Sequence, residues 1–135
     1  MPLSVHLTFA GECEAAFRFY EQLLGGAGLA MFRWGDSPAA ADVAPEWRDK
    51  LVHASITVGG HALAGADVPG DGYERPRGFY LLYAVAARAE AERIFAALAD
   101  GGEIVMPLAP TFWSPCFGVV VDRFGTPWEI TASAA

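Results

Sequence analysis

The chain has 135 residues, 53% of them hydrophobic and 13% aromatic, with a net charge of −7, which suits one compact domain able to bury a core. Its single lysine, Lys50, and its eight arginines are scattered, so no basic stripe exists to displace counterions from a phosphate backbone, and nucleic acid is not expected as a partner. The apolar runs are too short and too interrupted to cross a bilayer, and the start lacks the basic-then-apolar pattern of a secretory signal, so a cytoplasmic protein without a membrane partner is expected.

In chain order, Val5 to Ala10 alternates as a strand does and is followed by a helix from about Cys13 to Leu24. In that helix Cys13, Ala16, Phe17, Tyr20, Leu23 and Leu24 recur at three- and four-residue steps. Gly25-Gly26 stops it. Strands then follow at Leu29 to Trp34, Leu51 to Val58 and His61 to Ala66, the last two joined by Gly59-Gly60, a pair suited to a tight hairpin. Residues 35 to 50 are rich in Pro, Gly and Asp and are expected to form a loop.

The same pattern then recurs at an offset of about 75 residues, which marks an internal duplication. Phe79 to Val85 is the strand, Arg88 to Ala99 the helix, and Gly101-Gly102 the stop. Ile104 to Leu108, Phe117 to Val121 and Trp128 to Thr131 complete the set. The expected organisation is one domain, 1–135, of two βαβββ modules over about 1–68 and 77–135, with a linker at about 67–78.

Alternation assigns faces. Val5, Leu7 and Phe9, Val52, Ala54, Ile56 and Val58, and Trp128 and Ile130 belong under the helices. His6, His53 and Glu129 fall on the opposite sheet face. Cys13 and Cys116 lie in different halves without CxxC spacing and are expected to be reduced. Cys13 is read as a small buried residue, although the first turn of a helix also favours a thiolate.

These segments resemble a known group. PLSVHLTFAGECEAAFRFYEQLLGG, LVHASITVGGHALAGAD and PTFWSPCFGVVVDRFGTPWEI are similar to the PhnB-like branch of the vicinal oxygen chelate superfamily, which includes glyoxalase I, bleomycin-resistance proteins, fosfomycin-resistance enzymes and extradiol dioxygenases. The likeness covers essentially the whole chain. It implies an α+β fold in which duplicated βαβββ modules form a curled, half-open barrel-like sheet with helices on the outer face, and a homodimer as the usual assembly. It also implies a divalent metal acting as a Lewis acid on a substrate with neighbouring oxygens.

Carried over residue by residue, the metal set is incomplete. Glu129, four residues after Gly125, matches the last ligand. The first-strand position falls nearer Ser4 than His6, Ala64 or Gly65 occupies the middle carboxylate position, and Phe79 stands where the second module usually supplies a histidine. Sequences of this branch are often labelled methyltransferases, but the parallel sheet and Gly-rich loop of common methyltransferases are absent here.

Two functions from different classes therefore stand side by side. In the first, the curled sheet binds a small, partly apolar molecule, with His6, His53, Tyr83, Trp113 and Glu129 as ligand-binding candidates. The aromatic excess of the second half supports this, and Trp113 stands out because it lies in an irregular Pro110-to-Pro115 segment. In the second, His6, His53 and Glu129 hold Fe, Mn, Ni or Zn as two imidazoles and a carboxylate in a lyase, isomerase or dioxygenase. A third variant makes Glu129 a metal-free catalytic acid or base. Against these stand plainer readings of His53 as a strand histidine bonded to its neighbours and of Glu129 as a solvated carboxylate or a partner for Arg77.

Overall fold

Helices form where apolar residues recur at helical spacing. In the computed structural model, which describes residues 3–135, α1 spans Cys13–Leu24 and α2 spans Arg88–Ala99. Residues 1 and 2, at the start of the first expected module, lie outside the described residues. The chain divides into two units, one ending at Glu74 and the other spanning Arg75–Ala135.

In unit 1 the strands are β1 (Val5–Phe9), β2 (Ala27–Arg33), β3 (Leu51–Val58) and β4 (His61–Asp67). They form a mixed sheet in the order β1-β4-β3-β2, with β1 parallel to β4 and the other pairs antiparallel. Unit 2 repeats this with β5 (Leu81–Val85), β6 (Glu103–Ala109), β7 (Cys116–Val121) and β8 (Pro127–Ala132) in the order β5-β8-β7-β6. The fold is the expected α+β duplication of βαβββ, and neither four-stranded sheet closes on itself. No helix among the described residues is long and apolar enough to cross a membrane.

Each helix covers one face of its own sheet. Phe17 and Tyr20 of α1 are fully buried with Leu7, Phe9 and Ile56, and Ile94 and Leu98 of α2 with Val120 and Ile130. Burying a side chain of this size contributes about 1.5–3 kcal/mol, so these faces carry most of the stability of each unit. Close approach to the helix explains Gly65 of β4, where a Cβ would come within 2.6 Å of the Phe17 ring. The Gly59-Gly60 hairpin has φ of 55° and 81°, the pair of positive values that a two-residue primed turn demands.

Several boundaries differ from the sequence reading. Phe79 and Tyr80 precede β5, because its ladder with β8 starts at Leu81↔Trp128. The second glycine stop also differs: Gly25 caps α1 in the left-handed conformation, whereas the residue after α2 is Asp100 in an extended conformation, with Gly101 taking the positive φ. The loop at 35–50 contains three short 3₁₀ turns and is tied back by Trp34 N–H to the Lys50 carbonyl and Gly35 N–H to the Arg48 carbonyl.

The start of α1 is capped from a distance. Its own N-cap residue, Glu12, makes no side-chain cap bond. Instead the buried Asp67 carboxylate accepts the backbone N–H groups of Gly11 and Cys13 at 2.9 Å on one oxygen, and that of Leu51 at 2.9 Å on the other. Removing it would strand three donors, each costing about 1–3 kcal/mol when buried and unpaired. Asp67→Ala is therefore expected to lose about 3 kcal/mol or more in urea denaturation. Asp67→Asn, which keeps one acceptor oxygen, is expected to lose clearly less.

Candidate functional site

On the uncovered face of the unit 2 sheet, strand register sets out two rows. Leu82, Glu129 and Val119 form one, with Glu129 directly between apolar neighbours; Ala84, Thr131 and Phe117 form the next. Above them the Pro110-to-Pro115 segment brings in Trp113. These residues border a cavity of about 640 Å³, lined also by Ser114, Pro115 and Ser133.

The aromatic segment is held by hydroxyl bonds. Ser114 Oγ donates to the Cys116 carbonyl at 2.9 Å and lies 2.7 Å from Thr131 Oγ1, while Thr111 Oγ1 accepts the Ser114 N–H at 3.0 Å. This pins Trp113 beside Phe117 in an edge-on contact, with ring centroids 5.3 Å apart. Phe112 also packs edge-on against Trp113, at 4.8 Å. Trp113 nevertheless remains 57% exposed and Phe112 97%. Exposed aromatic rings of this kind offer a stacking surface.

Among the sequence-derived candidates, Glu129 and Trp113 meet at this cavity. Glu129 is half-buried, and among the described residues no hydrogen bond or ion pair engages it, Arg77 included. Tyr83 does not join them. It pairs with Ile130, whose side chain is buried beneath α2, and neighbouring strand positions share a face. Tyr83 therefore projects toward the helix side, one residue out of phase with Glu129. Leu82 and Ala84, which take the cleft side of β5, were not legible in the sequence: every residue of this strand is apolar or aromatic, so alternation gave no phase. Ser114 and Thr131 were missed because two hydroxyl residues 17 positions apart carry no sequence signal of their contact.

His6 and His53 lie on unit 1. They flank β4 on its uncovered face, where Ala64 and Ala66 leave room between them, and their ring centroids are 6.1 Å apart. Phe32 of β2, opposite His53 and 59% exposed, continues the row at 6.4 Å. Neither histidine forms a hydrogen bond or ion pair among the described residues. Also among the described residues, no group of three or more His, Cys, Asp or Glu side chains is placed to hold a metal ion. Apart from Glu129, the positions that the family resemblance assigns to ligands do not fit a metal: Ser4 offers a hydroxyl, Ala64 a methyl, Gly65 backs onto Phe17, and Phe79 is apolar.

A second cleft, of about 460 Å³ on unit 1, is lined by charge. Three of its charges, Glu14, Arg18 and Arg33, are paired with one another. Arg33 and Arg18 both donate to Glu14 at 3.0 Å, and these bonds, Arg33's first, hold the Glu14 carboxyl below the usual carboxylate range. Lys50 Nζ donates to the Gly11 carbonyl at 3.0 Å. This network ties α1 to β2 and to the loop before β3.

Cys13 supports no chemistry either. It is fully buried, and desolvation, followed by the nearby Asp67 and Glu14 charges, pushes its thiol far above its usual range. Cys116 is also buried and free. Native protein at pH 8 is expected to show no thiol reacting rapidly with a disulfide reagent, and two after denaturation; a rapidly reacting native thiol would contradict the burial of this face.

Three comparisons bear on this geometry. The family model described as Glyoxalase/Bleomycin resistance protein/Dioxygenase superfamily matches residues 4–130. Protein YjdN from Escherichia coli strain K12 is 34% identical over 138 residues, covering 96% of this chain and 94% of YjdN. The crystal structure of protein PA1353 from Pseudomonas aeruginosa superposes with a TM-score of 0.82 at 41% identity, covering 98% of each chain. The PhnB protein from Bacillus cereus shares the fold, with a TM-score of 0.79 at 24% identity, covering 98% of this chain and 99% of that one.

Proposed function

This chain belongs to the Glyoxalase/Bleomycin resistance protein/Dioxygenase superfamily, and from that premise we propose that it is a PhnB-like member that binds a small, partly apolar molecule on the uncovered face of the unit 2 sheet. The cavity of about 640 Å³ bordered by Trp113, Leu82, Phe117 and Glu129 carries this reading. Its size lies within the range of small-molecule sites, and apolar walls with few polar groups are their usual make-up. Apolar surface supplies the binding energy, while the hydroxyl-anchored loop supplies a ring already held in place.

A homodimer in the cytoplasm completes the proposal, on the strength of the family likeness. Nothing in the described site calls for S-adenosylmethionine: the sheets lack the all-parallel, Gly-rich-loop organisation of common methyltransferases.

Ligand-observed NMR with a panel of small aromatic molecules tests the binding function. Hits are expected to lose about tenfold in affinity in Trp113→Ala, corresponding to a lost stacking contact of about 1.4 kcal/mol. The midpoint of thermal unfolding should scarcely move, since Trp113 is more than half exposed. Binding that ignores the substitution, or no binding across the panel, would remove the cavity from consideration.

A second reading, a metal-dependent lyase, isomerase or dioxygenase acting on vicinal oxygens, is favoured by one observation: the neighbouring His6 and His53 imidazoles. Imidazole is a ligand for divalent Fe, Ni and Zn, and Glu129 retains a family ligand position. If this reading holds, untagged protein purified without chelator carries near-stoichiometric Fe, Mn, Ni or Zn by plasma mass spectrometry, and Glu129→Gln loses it. Metal content unchanged by Glu129→Gln would sink the three-ligand set.

A further inference from the structure

The polar groups of the unit 2 cavity are unequally committed. Ser114 Oγ and Thr131 Oγ1 are bonded to each other and to the Cys116 carbonyl, and Ser133 Oγ lies 3.4 Å from the Ala86 carbonyl it faces. The Glu129 carboxylate, by contrast, has no hydrogen bond or ion pair among the described residues. It is also the only ionisable residue among those lining the cavity, so no lysine, arginine or histidine there offsets its charge. Its cross-strand neighbours, Leu82 and Val119, have no polar side-chain atom to offer it.

A carboxylate set between apolar neighbours, lining one cavity with an exposed indole and with no counter-charge among the lining residues, selects a ligand by charge. An anion would meet uncompensated repulsion. A neutral apolar molecule would displace water from Glu129 without replacing the lost hydrogen bonds, which is unfavourable. A cation satisfies both groups: an ammonium or amidinium N–H donates to the carboxylate as a charge-assisted bond, and its positive charge is attracted to the Trp113 face. The chain's net charge of −7 adds a long-range attraction for positive ligands.

Building on the proposed binding function, we infer that the ligand is an aromatic or apolar cation: a flat ring system that stacks on Trp113 and carries a protonated nitrogen within reach of Glu129. This specifies the ligand's charge and shape, and it gives Glu129 a role that requires neither metal nor proton transfer.

Three probes of equal ring size separate the possibilities by calorimetric titration at low ionic strength: naphthalen-2-ylmethylammonium, naphthalen-2-ylmethanol and 2-naphthoate. The ammonium is expected to bind about tenfold more tightly than the alcohol, and the carboxylate more weakly than either. In Glu129→Gln, which keeps the side chain's shape, the ammonium's advantage over the alcohol should collapse while the alcohol's affinity holds. Glu129→Ala gives a second check should the glutamine form new hydrogen bonds. If ammonium and alcohol bind equally in the unaltered protein, and both perturb the Trp113 indole N–H resonance, the charge selection is wrong while the cavity remains a binding site. An advantage that persists in both variants also overturns the role of Glu129. If no probe perturbs that resonance, the binding proposal itself falls, and the charge selection falls with it.

Discussion

The carboxylate of Asp67 is the constraint on which unit 1 depends. A β1–β4 parallel pair cannot be joined by a tight turn, so the chain must leave β1, run through α1, β2 and β3, and return beside its start. Asp67 fixes that return. It stands at the last residue of β4, yet its two oxygens hold backbone N–H groups from before and within the first turn of α1 and from the first residue of β3. Three elements far apart in sequence thus meet on one side chain, and the beginning of α1 has its cap without using Glu12. The backbone of the same residue accepts Trp34 Nε1–H at 3.1 Å, which brings the start of the long loop to this point as well.

Unit 2 has the same strand order without the same fastening. There the parallel pair is continued past β8 by Ser133 N–H to the Val85 carbonyl and Ala134 N–H to the Ala86 carbonyl. Its buried aspartate, Asp122, serves the β7–β8 turn instead, accepting Phe124 and Thr126 N–H on one oxygen and Trp128 Nε1–H on the other. Topology is set by which surfaces must be buried, so it survives duplication. A hydrogen-bonding carboxylate is a local solution, and the two units have found different ones.

The same freedom has divided the surface chemistry. Beneath each helix both sheets are largely apolar, with Asp67 and Tyr83 the polar exceptions, because that face must exclude water. On the other face unit 1 presents neighbouring imidazoles and an exposed phenylalanine across a floor of alanines, whereas unit 2 presents a tryptophan and a carboxylate that line one cavity. Cys13, Asp67 and the Glu14 ion pairs, although chemically versatile residues, are committed to packing or to backbone hydrogen bonds. The proposed binding surface therefore lies on the sheet face turned away from the helix.

Much of this was written in the sequence. The helical spacing of Phe17 and Tyr20 or of Ile94 and Leu98, the paired glycines of the β3–β4 turn and the recurrence of the whole pattern determine two βαβββ modules, because periodicity reflects which face must be buried. Alternation also places His6, His53 and Glu129 opposite the helices. It could not phase β5, where no polar residue marks a face and only pairing with β8 turns Leu82 and Ala84 toward the cleft and Tyr83 away. Nor could it show that Ser114 and Thr131 bond each other, that Asp67 caps a helix 54 residues earlier in the chain, or that Glu129 has no hydrogen-bond partner among the described residues. Periodicity is local and survives in one dimension; hydrogen-bond partnership and strand register join residues distant in sequence, and only the tertiary structure decides them.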